Sequence, residues 1–154
     1  MNKQRMNISM KNTALLIDTN IVLDYFLDRS PFSEQAEKIM TYCIKSELLG
    51  YLACHSLLNI FYIARNQRSL EERKKFLLML CERFEIIGID VKKSVSALVN
   101  SDWKDFEDGL QIQCAYEANV DYIITRDPKG FVTSKIQALS PEEFLNMHEK
   151  DALS

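Results

Sequence analysis

Acidic side chains recur at the ends of predicted secondary-structure elements in this chain. Asp18 and Asp127 each follow an apolar run, and Asp108 stands near the start of a predicted helix. Carboxylates without histidine or cysteine beside them favour a hard divalent cation, Mg²⁺ or Mn²⁺. Such an ion promotes displacement at phosphorus. The pattern therefore predicts phosphodiester or phosphoryl chemistry.

The first acidic segment is LLIDTN at residues 15–20. The apolar run at residues 14–17 is typical of a strand buried on both faces, and an amphipathic helical pattern follows it. In open α/β sheets, ligand sites form outside the carboxyl ends of the strands, where Asp18 and Asn20 stand. Thr19 or Asn20 alternatively caps the helix, and capping is compatible with a functional role.

The second acidic segment lies at residues 101–108. If it is helical from about residue 102, Asp105 and Asp108 are three residues apart and share a face. Further along the helix that face is apolar, so Asp108 is the first residue of a stripe that we expect to face the core. Asp105 alternatively belongs to a helix cap.

The third acidic segment, IITRD at residues 123–127, repeats the arrangement of the first. Thr125 and Asp127 again place a hydroxyl and a carboxylate after an apolar strand. Asp127 also begins the sequence DPKG, which has good β-turn chemistry. If the first and fourth strands are neighbours, Asp18, Asp108 and Asp127 converge on one cleft.

The order of the predicted elements indicates an α/β fold. Strands alternate with helices, which argues for a parallel sheet with helices on both faces. Ser30, Ser69 and Ser140 are predicted N-caps. The predicted strands lie at residues 14–17, 50–54, 84–89, 121–125 and within 134–139, and the predicted helices lie at residues 21–27, 31–47, 56–65, 70–83, 92–100, 102–119 and from 141 onward.

Length and composition fit one domain at residues 13–150 behind a flexible, polar tail at residues 1–12. The formal net charge of −3 gives no overall attraction to nucleic acid. No apolar stretch reaches the roughly 18 residues that span a bilayer, so no membrane contact is expected. The four cysteines form no C-x-x-C pair, which favours buried free thiols in a reducing, cytoplasmic compartment.

Three segments in this order resemble the PIN domain, the PilT N-terminus-like nuclease domain of bacterial toxins. They are LIDTNIVLD at residues 16–24, DFEDGLQ at residues 105–111 and IITRDPKGF at residues 123–131, with support from LNIFYI at residues 58–63. The resemblance covers nearly the whole predicted domain. It implies a three-layer α/β/α sandwich around a mainly parallel sheet of four to five strands, and an acidic nuclease site that depends on Mg²⁺ or Mn²⁺.

The resemblance also implies roles for individual residues. Asp18, Asp108 and Asp127 match the carboxylates that bind the metal, and Asn20 and Thr125 match polar residues that orient ligands or water. Many members cut RNA, and many bacterial members are toxins held inactive by an antitoxin. RNA and a cognate antitoxin are therefore the expected partners, with a homodimer as a further arrangement.

One position departs from the family pattern. The helix after the second strand usually carries a glutamate in PIN domains, and the matching residue here is Asn59. An amide offers an oxygen to a metal or to water, but it has no charge and cannot act as a base. Asn59 is alternatively a hydrogen-bonded core amide. Asp105 or Glu107 is a candidate to replace the missing charge, and Gly130 stands where relatives often carry an acidic residue.

Two functions are compatible with these patterns. The first is a metal-dependent endoribonuclease, the toxin of a toxin–antitoxin pair. The second is a PIN-fold binding or scaffold protein with a weakened site, which Asn59 favours. An aspartate-phosphorylating phosphatase fits poorly, because Asn20 stands where that chemistry needs a second aspartate. The residues expected to contact RNA phosphates flank the same elements and are Arg126, Lys129, Lys104, Arg65 and Arg68.

Overall fold

Five strands form one sheet in the part of the chain that the structure, a computed structural model, describes, namely residues 13–100 and 105–153. The strands are β1 (Ala14–Ile17), β2 (Leu49–Ala53), β3 (Glu85–Ile87), β4 (Tyr122–Ile124) and β5 (Ala138–Leu139). Their order is β3-β2-β1-β4-β5, and each neighbouring pair is parallel. The predicted parallel sheet of four to five strands is confirmed, and β1 and β4 are neighbours.

Seven α-helices connect the strands within the same described ranges. They are α1 (Thr19–Phe26), α2 (Ser33–Ile44), α3 (Cys54–Ile63), α4 (Leu70–Arg83), α5 (Val91–Val99), α6 (Phe106–Ala118) and α7 (Pro141–Ala152). Two short 3₁₀ helices lie at Ala64–Asn66 and Pro128–Phe131.

Two hydrophobic cores lie on opposite faces of the sheet. Leu15 and Ile17 of β1 pack into the core shared with α1, α2, α4 and α7, whereas Ala14 and Leu16 pack into the core shared with α6. Successive strand residues point to opposite faces, so β1 is buried on both sides. The three-layer α/β/α arrangement follows from these two cores and confirms the predicted fold class.

The start of α1 differs from the prediction. The helix begins at Thr19, two residues earlier than expected, and Asp18 is its N-cap without a side-chain cap hydrogen bond. The prediction that Thr19 or Asn20 caps the helix is therefore wrong, because β1 passes into α1 with only Asp18 between them. This close junction leaves the side chain of Asp18 available for contacts outside the helix.

The three serines predicted as N-caps have different outcomes. Ser69 and Ser140 both cap their helices and complete capping boxes, as predicted. Ser30 does not cap α2, because the chain first makes a turn in which the backbone N–H of Phe32 donates to the carbonyl of Arg29 at 2.9 Å. The helix begins after this turn, with Phe32 as its N-cap residue.

No helix in the described ranges is long and apolar enough to cross a membrane. The cysteines are free thiols. Cys43 and Cys114 are buried as predicted, but the prediction is wrong for Cys54 and Cys81, which lie on exposed positions of α3 and α4. The predicted tail at residues 1–12 lies outside the described residues.

Candidate active site

Asp18 is fixed at the C-terminal end of β1 by hydrogen bonds to the neighbouring strand. Its backbone N–H donates to the carbonyl of Ile124 at 2.9 Å. Its Oδ2 accepts a hydrogen bond from Oγ1 of Thr125, also at 2.9 Å. Thr125 is itself buried and donates its backbone N–H to Leu139 in β5. The buried Asp18 carboxylate is therefore held in place by the sheet.

Asp127 and Asp108 approach the same point beside Gly130. The backbone N–H of Asp127 donates to Oγ1 of Thr125 at 3.2 Å, so one hydroxyl contacts both strand-end aspartates. A Cβ atom added to Gly130 would lie 3.3 Å from Oδ2 of Asp108 and 3.4 Å from Oδ2 of Asp127. The missing side chain at Gly130 therefore leaves room between these two carboxylates.

The first turn of α6 brings Asp108 to the cleft. Asp105 is the N-cap of α6, and its Oδ1 accepts a hydrogen bond from the backbone N–H of Asp108 at 3.0 Å. The helix therefore begins at Phe106 rather than near residue 102, and Asp105 serves as its cap. The cleft at the C-terminal edge of the sheet has a volume of about 370 Å³ and is lined by Asp18, Asn20, Asp105, Glu107, Asp108, Thr125, Arg126, Asp127 and Phe131.

Burial and mutual repulsion raise the pKa of two carboxyl groups in the cleft. Burial raises the pKa of Asp18 to about 6, although the hydrogen bond from Thr125 opposes the shift. Burial, followed by the charges of the neighbouring carboxylates, led by Asp105, raises the pKa of Asp108 to about 7. Each ionised carboxylate in the cleft therefore makes ionisation of the next one less favourable, and a bound cation would offset this repulsion.

The donor set of the cleft fits a hard divalent cation. Asp18, Asp108 and Asp127 offer carboxylate oxygens, the ligands that Mg²⁺ and Mn²⁺ prefer. Among the residues that the structure describes, no group of three acidic, histidine or cysteine side chains stands in a ready metal-binding arrangement. Mg²⁺ does not require one, because it keeps several waters and binds through one or two carboxylates together with a substrate phosphate.

Asn59 and Glu107 form a polar unit on one side of the cleft. The Nδ2 of Asn59 donates to Oε1 of Glu107 at 3.1 Å. Oγ1 of Thr19 donates to the same oxygen at 3.2 Å, and Nε2 of His55 lies 3.8 Å from it. Asn59 is half-buried and does not itself line the cleft, so it is a hydrogen-bonded amide that meets the cleft through Glu107 rather than a core amide.

A buried polar network behind Glu107 was not predicted from the sequence. Ser56 in the first turn of α3 and Gln111 in α6 are both fully buried. The Nε2 of Gln111 donates to Oγ1 of Thr19 at 3.3 Å and to Oγ of Ser56 at 3.1 Å. A glutamine on the apolar face of α6 is the sequence signal that points to this network, because a buried amide needs hydrogen-bond partners.

Arg126 is the one cation among the described residues that line the cleft. Its Nε lies 3.0 Å from Oδ2 of the fully buried Asp24, and its guanidinium lies 4.1 Å from the ring centre of Phe32. Burial raises the pKa of Asp24, while the charges of Arg126 and Arg29 oppose that shift. The ion pair and the ring contact hold Arg126 at the side of the cleft.

The other residues predicted to contact RNA or ligands are spread more widely. Asn20 is exposed and lines the cleft, and Lys129 is exposed on the adjoining 3₁₀ helix. Arg65 and Arg68 donate to backbone carbonyls near the C-terminal ends of α3 and α1, and neither lines the cleft. Lys104 lies outside the described residues.

Comparisons with known proteins identify similar chains. A family model of the PIN domain matches residues 14–129, well over half of the chain. No curated protein matches the chain significantly. Solved structures with a similar fold include a toxin–antitoxin complex from Klebsiella pneumoniae, with a TM-score of 0.61 and 18% sequence identity, covering 82% of this chain and 97% of that one.

Two further structures are similar at lower identity. VapBC2 from Rickettsia felis, bound to a DNA fragment from its promoter, has a TM-score of 0.62 and 15% identity over 83% of this chain and 98% of that one. VapC20 from Mycobacterium tuberculosis, a toxin that cleaves the sarcin–ricin loop, has a TM-score of 0.58 and 10% identity over 71% of this chain and 86% of that one. At these identities, the similarity establishes the fold.

Proposed function

The chain belongs to the PIN-domain family, and we propose that it is a metal-dependent endoribonuclease that hydrolyses RNA phosphodiester bonds in its acidic cleft. The observation that carries this proposal is the convergence of three carboxylates from three elements. Asp18 follows β1, Asp127 follows β4 and Asp108 comes from α6, yet all three line one cleft. Their mutual repulsion is a cost to the fold, which a metal-binding role explains.

The proposed site holds one Mg²⁺ or Mn²⁺ between Asp18, Asp108 and Asp127, with Asp105 as a further candidate ligand. When bound, the cation offsets negative charge at the phosphate and favours displacement at phosphorus. Thr125 keeps the carboxylate of Asp18 in place through its hydrogen bond. Exposed Asn20 is proposed to orient RNA or water at the mouth of the cleft.

RNA is the proposed substrate. The similar VapC20 structure is that of a toxin that cleaves the sarcin–ricin loop, which supports an RNA substrate for this chain. Arg126 offers a fixed positive charge beside the carboxylates, suited to an RNA phosphate. The other proposed phosphate contacts position the strand rather than read bases, and they are Lys129, Lys104, Arg65 and Arg68.

A toxin role is the proposed biological setting. One similar structure is a toxin–antitoxin complex and another is a toxin. In this proposal an antitoxin protein binds the chain and holds its nuclease activity in check. The alternative is a scaffold protein that keeps the fold without cleaving RNA.

Cleavage of a mixed RNA pool tests the proposed function. The wild-type protein should cleave RNA with Mg²⁺ or Mn²⁺ and stop in EDTA, and Asp108→Asn should lower the rate by about 100-fold or more. Asp28→Asn is the matched control, because Asp28 is exposed in a turn with φ of 51°, which asparagine readily adopts.

The control variant should cleave at the wild-type rate. Cleavage that persists in EDTA and in Asp108→Asn would contradict the proposal. A wild-type protein that cleaves no RNA with either metal would favour the scaffold alternative.

A further inference from the structure

We propose that Glu107 is a further metal-facing carboxylate of the cleft and that Asn59 is the positioning residue that holds it there. The inference rests on the proposed metal-dependent function, and it adds a residue that the three-aspartate site does not include. It also accounts for the absence of a glutamate at position 59, because the charge comes from α6 instead of α3.

Glu107 differs from Asp105, which also stands at the start of α6, because its side chain is held by residues of two other helices. Oδ1 of Asp105 is engaged as the N-cap, where it accepts a hydrogen bond from the backbone of Asp108. The side chain of Glu107 is 44% exposed and lines the cleft. Within residues 13–100 and 105–153, the polar contacts of Glu107 all engage Oε1, which leaves Oε2 for a ligand.

Glu107 belongs to the same electrostatic cluster as the aspartates. It lines the same cleft as Asp18, Asp108 and Asp127. Negative charges that line one small cleft attract the same cation. A cation bound among the aspartates would therefore also attract Glu107.

The two side chains seen to donate to Glu107 in the described part of the chain, Thr19 and Asn59, both bond its Oε1. Gln111 donates to the hydroxyls of Thr19 and Ser56, which lie 2.7 Å apart. The hydroxyl of Thr19 gives its one hydrogen to Glu107, so the hydroxyl of Ser56 must donate to Thr19. On the other side, the amide of Asn59 donates to the same oxygen. Hydrogen bonds from two helices, α1 and α3, therefore fix the position of the Glu107 carboxylate.

This arrangement couples the residue types at positions 59 and 107. The amide of Asn59 can donate to the carboxylate of Glu107, whereas a glutamate at position 59 would place a second negative charge beside it. Asn59 therefore acts on the metal site through Glu107. We expect its loss to weaken metal binding less than the loss of Glu107 itself.

Mn²⁺ binding measured by isothermal titration calorimetry tests the inference. Glu107→Gln keeps an acceptor for Asn59 but removes the charge, so the Kd for Mn²⁺ should rise about 10-fold or more. Asn59→Ala should raise it by a smaller factor. Asn59→Glu combined with Glu107→Gln moves the charge to α3 and should recover most of the lost affinity. Glu82→Gln, at an exposed position of α4, is the matched control and should match wild type.

The melting temperature without metal separates this role from a purely structural one. If Glu107 only anchored α6 to its neighbours, Glu107→Gln would lower that melting temperature and leave the Kd for Mn²⁺ unchanged, which would overturn the inference.

The variant Asp18→Asn distinguishes a failure of this inference from a failure of the proposed metal site. If wild type binds Mn²⁺ no better than Asp18→Asn, the proposed metal site is wrong. If Asp18→Asn loses affinity but Glu107→Gln does not, only the role of Glu107 is wrong.

Discussion

Thr125 joins the two strand-end aspartates of the cleft with a single hydroxyl. It donates to Oδ2 of Asp18 and accepts from the backbone N–H of Asp127. The sequence shows a hydroxyl and a carboxylate after an apolar strand, but the bond to Asp18 spans 107 positions along the chain. It exists only because β1 and β4 pair side by side, which local sequence patterns do not specify.

The raised pKa values of Asp18 and Asp108 predict how stability depends on pH. A carboxyl whose pKa is higher in the folded state than the ordinary 3.8 stabilises the fold below that value. The contribution is lost as the pH rises through about 6 for Asp18 and about 7 for Asp108. Without divalent metal, Asp108→Asn should therefore be more stable than wild type at pH ~8, by a clearly larger margin than near pH ~5.

Thermal unfolding in EDTA at the two pH values checks this prediction. Asp28→Asn, which makes the same change outside the cleft, should follow wild type at both. If wild type were as stable as Asp108→Asn at the higher pH, the repulsion among the cleft carboxylates would be absent.

The first residues of the helices show which features local sequence specifies and which depend on tertiary contacts. The capping boxes begun by Ser69 and Ser140 need only residues three positions away, and both were predicted correctly. Thr19 was predicted as a cap, but its hydroxyl bonds to side chains of α3 and α6 instead. Phe32 lies in the turn before α2 and contacts the guanidinium of Arg126, a residue far along the chain.

The same distinction applies to the candidate site. Asp18, Asp108 and Asp127 could be proposed from the sequence because each stands at the end or start of a predicted element. The pairing of Asn59 with Glu107 could not, because it joins α3 to α6 across 48 positions and depends on how the two helices pack. The sequence offered Asp105 or Glu107 as a replacement for the missing charge, and the hydrogen bonds from α1 and α3 are made to Glu107.

The ion pair between Asp24 and Arg126 links α1 to the end of β4 beside the cleft. Asp24 is fully buried, and its carboxylate lies 3.0 Å from Nε of Arg126 and 3.6 Å from Nη1 of Arg29. Arg126→Gln should lower the free energy of unfolding by about 2 kcal/mol, between the values for exposed and buried pairs, because it leaves the buried carboxylate of Asp24 without its nearest cation.

Urea denaturation of a double-mutant cycle measures this link. The cycle compares Asp24→Asn, Arg126→Gln and the variant that carries both changes. The double variant should lose less stability than the sum of the two single losses, because the first change already removes the pair. Losses that simply add would show that the pair does not tie α1 to β4.

The molecule as a whole has no net positive charge that would attract RNA. The net charge is −3, and five of the nine described residues that line the cleft are acidic. A polyanion would therefore be repelled from the metal-free cleft, apart from the local attraction of Arg126. The proposed function therefore requires a divalent cation to neutralise the carboxylates for RNA binding as well as for cleavage.

Thermal unfolding at increasing Mn²⁺ concentration tests whether Asp18, Asp108 and Asp127 hold a divalent cation. A ligand that binds only the native state stabilises it by mass action, by about 2.7 kcal/mol when its free concentration is about 100 times the Kd. The melting temperature of wild type and of Asp28→Asn should therefore rise steadily with Mn²⁺ concentration. Asp18→Asn should fold but gain little. An equal gain in Asp18→Asn and wild type would contradict a divalent cation site built on Asp18, Asp108 and Asp127.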